Sequence, residues 1–331
     1  MTDKYKIYIP VSVAQRLEAD ALFFEFLKSD GSANLNLFLK TVLVNYFSLY
    51  HEKFICTQET VKSFIASSGT SVATSDLDAV ADQIIDYFRD GSLKSKETVA
   101  ITLTVSRDAM DIVNQIEDSL LIRKSMSQYL GDLYVSYLEH PRYVRERIVF
   151  QETYNTLEKA IKKKEIITFR STSAEGFVFR VEPYLIAPAK EENCGYLLCV
   201  DAATRKPQSF RISRMRSTFS EREKFTVSLD MTKKLKDVAK HNPHMTNESI
   251  DAEVFLTPAG IRAYRLIVKD RPVIVSQENS NDGKICHFHC PAPMLLNYFK
   301  RLGKDAVILS PADIKENMRT YYDEALRAYE K

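Results

Sequence analysis

Apolar and polar residues alternate along the start of the chain. The stretch "YKIYIPVS", residues 5 to 12, has the period of two that predicts a half-buried strand. Ser12, followed three positions later by Gln15, indicates the start of a helix with a capping box. Apolar residues then recur at helical spacing, at Leu17, Ala21, Phe24 and Leu27. After a break at "DGSAN", a second helix is predicted from about Leu35 to Tyr50.

The same strand-helix-helix pattern returns 94 residues further along, beginning with "VAITLTVS", residues 99 to 106. Two more helical patterns follow, and Pro141 ends the second of them, so the chain contains an internal repeat. Because a lone strand is not stable, we expect the two strands to pair antiparallel, with four helices on one side of the ribbon. The outward residues would be Lys4, Lys6, Tyr8, Thr98, Ala100, Thr102 and Thr104.

The repeat resembles the ribbon-helix-helix fold, which is usually a dimer of two chains and would here be a pseudo-dimer within one chain. In that family the exposed face of the ribbon enters the major groove of DNA. The resemblance implies Lys6, Tyr8, Thr102 and Thr104 as secondary nucleic-acid-binding candidates. One strand offers no arginine, asparagine or glutamine to read a base edge. The alternative is therefore that the ribbon serves only as a scaffold or as a contact for another protein.

The charge is distributed unevenly, although the net charge is only +2. The segment from Thr204 to Lys224 contains seven basic and two acidic residues, whereas Phe54 to Leu93 contains six acidic and two basic ones. A protein that binds a polyanion needs a basic face rather than a basic average. The first segment is therefore the candidate for nucleic acid. The second is predicted to be an acidic helical insert at about 54–94, within a duplicated domain that spans 1–148.

Composition limits the fold class, the cellular compartment and the kinds of activity that the chain can have. With 331 residues, of which 45% are apolar and 27% charged, the chain is expected to be an α+β protein of two or three domains. Five cysteines without a secretory signal pattern indicate the reduced cytoplasm, and no apolar run is long enough to span a membrane. The chain has no glycine-rich phosphate-binding motif and no nucleophile-base set. We therefore expect neither a cofactor nor an enzyme.

From Phe150 a helix leads into five short strands with tight polar turns, which predicts a small, strongly bent antiparallel barrel. The order of residues resembles the WYL domain, an Sm-like β-barrel common in bacterial regulators, and gives a predicted domain at 149–230. The resemblance rests on "FRVEPYLI", "GYLLCVD" and "SFRISRMRS". The signature that names the family is Gly195-Tyr196-Leu197 here, so the tryptophan is missing and Tyr196 is left to fill its role.

A basic and aromatic groove in WYL domains is associated with nucleic acid or a nucleotide-like ligand. Carried over by position, its residues are Tyr184, Tyr196, Arg211, Arg214 and Arg216, and Arg205 of the same basic segment is a further nucleic-acid-binding candidate. Arginine presents a planar fork of donors to phosphate, and tyrosine presents a ring on which an unpaired base can stack. Arg211 and Arg214 share a face only if the strand ends or twists between them. Alternatively, the arginines form ordinary surface ion pairs with Glu182, Asp201 or Glu221.

Residues 245–331 have the β-α-β-β-α-β order of a ferredoxin-like fold. They resemble the C-terminal extension that follows WYL domains, especially in "LGKDAVILSPADI", and this implies self-association as a homodimer. The run Cys286-His287-Phe288-His289-Cys290 has the residues of a metal site. However, strand alternation places its cysteines and histidines on opposite faces, so we expect the cysteines in the core and no metal.

The domain order as a whole resembles the WYL accessory proteins of type VI-D CRISPR systems, which bind single-stranded RNA and stimulate an RNA-guided RNase in antiviral defence. The implied partners are single-stranded RNA, the effector RNase, a second copy of the chain and possibly DNA. The alternative is a DNA-binding transcription regulator whose WYL domain senses a nucleotide-like ligand. Because the densest basic region lies in the predicted barrel and stacking needs splayed bases, the sequence favours the RNA-binding protein.

Overall fold

The computed structural model describes residues 3–68, 76–81, 83–85, 97–105, 107–121, 124–189, 193–241, 243 and 249–330. Contacts divide the chain into two units. The first comprises Met1–Asn155 together with Ile212–Arg214, and the second comprises Thr156–Arg211 and Met215–Lys331. None of the helices in these ranges combines the length and the apolar character that crossing a membrane requires.

The first unit is built on a two-stranded ribbon. Strands β1 (Lys4–Pro10) and β2 (Thr98–Thr104) pair antiparallel with Ile7 opposite Ile101, which confirms the predicted pairing of the repeated strands. Alternation buries Ile7, Ile9 and Leu103 on one face. The helices of this part are α1 (Val11–Phe23), α2 (Leu35–Ser67), α3 (Arg107–Ser119), α4 (Met126–Glu139), α5 (Arg142–Val149) and α6 (Gln151–Lys163), the last of which continues into the second unit.

Two boundaries in this unit differ from the sequence prediction. Helix α1 begins at Val11, and Pro10 precedes it without a side-chain cap, so the predicted cap at Ser12 is wrong. Pro10 occupies the cap position and has no side-chain acceptor, and the Val11 backbone N–H donates to the Glu97 carbonyl at 3.2 Å. Helix α2 continues past Tyr50 to Ser67, because no glycine or proline interrupts it. The predicted insert therefore begins inside α2, and part of the insert lies outside the described residues.

A buried ion pair joins α1 to α5. The Arg145 guanidinium approaches the Asp20 carboxylate through Nε at 2.7 Å and donates from Nη2 to Asp20 Oδ1 at 3.0 Å. Tyr137 on α4 donates its hydroxyl to the same carboxylate, and Arg145 Nη1 also donates to the Leu138 and His140 carbonyls. Burial raises the pKa of Tyr137 well above its ordinary value, and the Asp20 charge adds to this shift. The Asp20 carboxylate thus connects helices α1, α4 and α5.

The second unit contains a five-stranded antiparallel sheet. Its strands are β3 (Glu165–Ser171), β4 (Ala174–Ala189), β5 (Cys194–Asp201), β6 (Pro207–Arg211) and β7 (Met215–Lys224), in the spatial order β6-β5-β4-β3-β7. The predicted single strand "QSFRISRMRS" is instead two strands separated by a 3-10 turn at Ile212–Arg214. This turn redirects the chain so that β7 pairs with β3 and not with β6. The sheet is therefore not closed into the barrel that the sequence predicted.

A four-stranded antiparallel sheet forms the rest of the second unit, after helix α7 (Leu229–His241). The elements are β8 (Ser249–Leu256), α8 (Pro258–Leu266), β9 (Ile274–Ser280), β10 (Gly283–Pro291), α9 (Ala292–Phe299), β11 (Ala306–Ser310) and α10 (Ala312–Tyr329). The sheet order is β11-β8-β10-β9, with the predicted succession of strands and helices. Cys286, Phe288 and Cys290 are buried in its core, which confirms the alternation predicted for this strand.

Removal of the Asp20 carboxylate should destabilise the first unit strongly. Asp20→Ala leaves the buried Arg145 guanidinium without its counter-charge, and breaking a buried pair in this way costs about 3–5 kcal/mol of unfolding free energy. Chemical denaturation checks this value. Glu139→Ala, which removes an exposed ion pair to Lys53, is the control and should change stability by less than about 1 kcal/mol. Equal effects of the two substitutions would contradict the assignment.

A glycine at the start of α8 should not tolerate a side chain. A Cβ at Gly260 would overlap the backbone carbonyl of Asp305, so Gly260→Ala should lower the unfolding free energy by about 1–3 kcal/mol. Gly131 in α4 is the matched control. Its Cβ would lie at an ordinary 3.5 Å from Ile9 Cγ2, and alanine should gain up to about 1 kcal/mol from helix propensity. Thermal melts should therefore move in opposite directions for the two variants.

Candidate nucleic-acid interface

Three phenylalanines define the two faces of the five-stranded sheet. The ring centroids of Phe169, Phe179 and Phe210 lie 4.7–5.4 Å from each other. The three rings therefore pack together on one face of the sheet, here called the inner face. Successive side chains of a strand point to opposite faces. The residues that follow Phe169 and Phe210, which are Arg170 and Arg211, therefore lie on the other face, here called the outer face.

Tyr196 and Arg211 lie directly opposite each other on this outer face. They are register partners of the antiparallel strands β5 and β6, and Tyr196 also lies opposite Ala187 of β4. Directly opposed side chains in such a pair have Cβ atoms about 4.5–5.5 Å apart. Both side chains are half-buried. The structure thus brings together one aromatic ring and one guanidinium group of the predicted set.

Arg216 lies on the outer face of β7, at the opposite edge of the sheet. Its backbone partner is Arg170 of β3, and its Nη1 donates to the Met215 carbonyl at 2.9 Å. The chain from Arg211 to Arg216 is only five residues long, so their Cα atoms lie within about 18 Å of each other. Arg170 was not predicted as a site residue. Its position immediately after the inward Phe169 in "IITFRS" is the signal that could have identified it.

Tyr184 does not contribute to an open groove. The pairing of β4 with β5 shifts by one residue between Pro183 and Leu185, and this bulge turns Tyr184 to the same side as Leu185. There the ring packs against the cluster that α7 forms with Ala187 and Leu198, with the Phe225 ring 5.6 Å away. Ala187 is the register partner of Tyr196, so α7 covers the outer face of the sheet along β4 and β5 beside Tyr196. Its hydroxyl accepts a hydrogen bond from the Ser228 backbone N–H at 3.2 Å. Tyr184 therefore holds α7 in place.

Two of the predicted arginines are engaged by carboxylates. Arg205, in the turn between β5 and β6, donates to the buried carboxylate of Glu182. Arg214, in the 3-10 turn that belongs to the first unit, donates from Nε to Glu25 Oε1 at 2.6 Å. The surface-pairing alternative thus holds for Arg205 with Glu182, one of the partners that the sequence suggested. The partner of Arg214 is a residue that the sequence did not suggest.

The secondary candidates lie where the sequence placed them. Lys6 is opposite Thr102 and Lys4 opposite Thr104, and this face of the ribbon is the exposed one. Tyr8 is 61% exposed. The ribbon presents lysines and hydroxyl groups, which can contact phosphate, but no arginine, asparagine or glutamine for reading a base edge.

Electrostatics separates the arginines of the sheet into two groups. Arg180 on β4 lies between Glu221, whose Oε2 accepts from its Nε at 2.8 Å, and Glu223. The hydrogen bond to Glu221 raises the pKa of Arg180, and Glu221 in turn has a lowered pKa because Thr168 and then Arg180 donate to it. In the described residues no carboxylate forms an ion pair with Arg170. A phosphate can therefore bind at Arg170 without displacing an internal partner.

The described residues contain no cluster of three histidine, cysteine, aspartate or glutamate side chains that could hold a metal ion. His287 and His289 point away from Cys286 and Cys290, and His289 Nδ1 lies 2.7 Å from Asp251 Oδ1. The chemistry available on the outer face of the five-stranded sheet is therefore that of planar cations and aromatic rings, which bind phosphates and bases.

Comparison with known proteins gives a fold relative over the full chain. No protein-family model and no curated protein matches. A solved structure described as a CRISPR Cas-related protein is 22% identical, with a TM-score of 0.71 over 100% of this chain and 95% of that one. Proteasome accessory factor B/C (PafBC) of Arthrobacter aurescens is 14% identical, with a TM-score of 0.28 over 70% of this chain and 37% of its own. The chain thus shares the fold of the CRISPR Cas-related protein.

Proposed function

We propose that this protein is a WYL-type accessory factor of a CRISPR system, which binds single-stranded RNA and stimulates an RNA-guided RNase. The observation that carries the proposal is the pair of Tyr196 and Arg211, directly opposite each other on adjacent strands. An aromatic ring stacks a base whatever its identity, and a guanidinium group binds the phosphate beside it. Arg216 would supply the next cation along the chain.

Single-stranded RNA fits this pair better than duplex DNA does. Bases in a duplex are stacked on each other and expose only their edges, whereas unpaired bases expose the face that a tyrosine ring needs. The basic segment from Thr204 to Lys224 supplies the attraction for a polyanion. Base identity would be read weakly, because stacking does not depend on hydrogen-bond patterns.

The CRISPR context is supported by the shared fold with a protein described as CRISPR Cas-related. The type VI-D assignment rests on the resemblance in domain order: a ribbon-helix-helix pseudo-dimer, an Sm-like WYL domain and a ferredoxin-like C-terminal extension. The helix α6 followed by five antiparallel strands supports the WYL part, and the order β11-β8-β10-β9 supports the ferredoxin-like part. We propose that the extension mediates a homodimer, that the protein acts in the cytoplasm, and that it has no catalytic activity of its own.

A second candidate function is that of a DNA-binding transcription regulator, and the exposed face of the ribbon favours it. Lys4, Lys6 and Tyr8 lie on that face beside a row of threonine hydroxyls, in the position from which ribbon proteins contact the major groove. In this case the outer face of the five-stranded sheet would bind a nucleotide-like effector, and the ribbon would bind DNA.

Filter binding distinguishes these functions. The protein should retain single-stranded RNA more tightly than duplex DNA, and Arg211→Ala and Tyr196→Ala should each weaken RNA binding by about 5- to 100-fold, since one stacked base or charge-assisted contact is worth about 1–3 kcal/mol. Lys6→Ala combined with Tyr8→Ala is the control and should leave RNA affinity unchanged. If the protein instead retains duplex DNA more tightly than RNA, and the ribbon substitutions abolish that DNA binding while Arg211→Ala and Tyr196→Ala do not, the regulator is correct.

Stimulation of the effector should follow RNA binding. Wild-type protein added to a type VI-D RNA-guided RNase should increase its rate of RNA cleavage, whereas Arg211→Ala at the same concentration should not. Cleavage of a labelled RNA by the effector alone gives the baseline. A variant that has lost RNA binding but stimulates the RNase as wild type does would separate the two activities and contradict the proposed mechanism.

A further inference from the structure

Phe219 is a large apolar side chain that the sheet leaves open to solvent. It lies on β7, an edge strand, where it is 55% exposed and opposite Thr168 of β3. Thr168 precedes the inward Phe169, so Phe219 lies on the outer face. Edge strands usually carry charged or polar residues because an exposed apolar edge invites association. The exposed phenyl ring is therefore accessible to a binding partner.

Two arginines lie next to this ring on the same face. Arg170 is two positions from Thr168 on β3, which makes it the diagonal neighbour of Phe219 at about 7–8 Å. Arg216 lies directly opposite Arg170. Arg170 is exposed and has no ion pair with a carboxylate of the described residues.

Carboxylates mark one end of this surface. Glu221, two residues beyond Phe219 on β7, accepts a hydrogen bond from Thr168 and, together with Glu223, engages Arg180. Because Glu221 and Glu223 already neutralise Arg180, this guanidinium attracts a phosphate less than Arg170 does. A polyanion that covers Phe219 would extend in the other direction, towards Arg170 and Arg216.

We propose that Phe219 and Arg170 form a second RNA subsite, in which the phenyl ring stacks a base and the guanidinium binds the neighbouring phosphate. This inference rests on the proposed function. It extends the RNA surface along the β3–β7 edge, from Arg216 to Phe219. The charge of the surface favours RNA over a protein partner, because an apolar ring flanked by two cations matches a base followed by phosphate. The subsite is sequence-tolerant, since the ring makes no hydrogen bonds.

Matched variants test the subsite. Phe219→Ala is compared with Phe177→Ala, which removes another exposed phenyl ring that alternation places on the opposite face. Arg170→Gln is compared with Arg222→Gln, which removes the same charge from an exposed position on β7. Affinity is measured by fluorescence anisotropy with a labelled single-stranded RNA of about 16 nucleotides, enough to cover one site, and with the same RNA made abasic. Thermal melts verify that the variants remain folded.

The subsite predicts a distinct pattern. Phe219→Ala should weaken binding of the normal RNA by about 5- to 100-fold and leave binding of the abasic RNA unchanged. Arg170→Gln should weaken binding of both RNAs and reduce the slope of log affinity against log salt by about 0.7, as expected for one phosphate contact to a single strand. Phe177→Ala and Arg222→Gln should bind as the wild type does.

Two results would overturn the inference, and they are distinguishable. If Phe219→Ala and Arg170→Gln bind RNA normally while Arg211→Ala does not, the protein binds RNA but the β3–β7 edge is not part of the site. If the wild-type protein binds neither RNA, the proposed function fails and the subsite fails with it. A loss of dimer in Phe219→Ala by sedimentation, with RNA affinity unchanged, would assign the ring to a protein contact instead.

Discussion

The packing of Phe169, Phe179 and Phe210 determines the orientation of the side chains around them. These rings pack against each other on the inner face of the five-stranded sheet. Since a strand has a period of two, each neighbouring residue must then lie on the outer face. Arg170 and Arg211 are outward for this reason. The candidate interface is thus a consequence of core packing, because the same aromatic residues that stabilise the sheet also fix which cations reach solvent.

Internal carboxylates already engage part of the basic segment. Arg205 neutralises a buried glutamate, and Arg214 engages Glu25 in the first unit. Of the predicted arginines, Arg211 and Arg216 lie on the outer face of the sheet, as does Tyr196 of the predicted tyrosines. A high local density of arginine is therefore a weak guide to a binding surface. A better guide to a binding surface is the face of the sheet on which each cation lies, together with the carboxylates that each cation already contacts.

The sequence predicted features that depend on local periodicity and missed those that depend on distant contacts. The ribbon pairing follows from the repeated alternation of strands such as Lys4–Pro10, and the buried cysteines follow from alternation in "CHFHC". The end of α2 was missed because helix formers continue through Tyr50 without a break. The partner of Arg214 lies 189 residues away in sequence, and no local pattern reports such a contact.

The position of Tyr184 shows a further limit. A single extra residue in β4 rotates this side chain onto the α7 cluster, and one-residue bulges have no reliable signature in a strand pattern. The family resemblance predicted Tyr184 to be a groove residue. In the structure the bulge places it against α7 instead. Arg170 is the opposite case, since alternation alone identifies it once Phe169 is known to be inward.

The ion pair between Asp20 and Arg145 has a consequence for the evolution of the duplicated region. The carboxylate lies in the first strand-helix-helix repeat and the guanidinium follows the second, so either half expressed alone would contain a buried charge with no counter-ion. Two separate chains could restore the ribbon, but each copy would then need both charges in the right place. A chain divided between the repeats would therefore lose this ion pair and its contribution to stability.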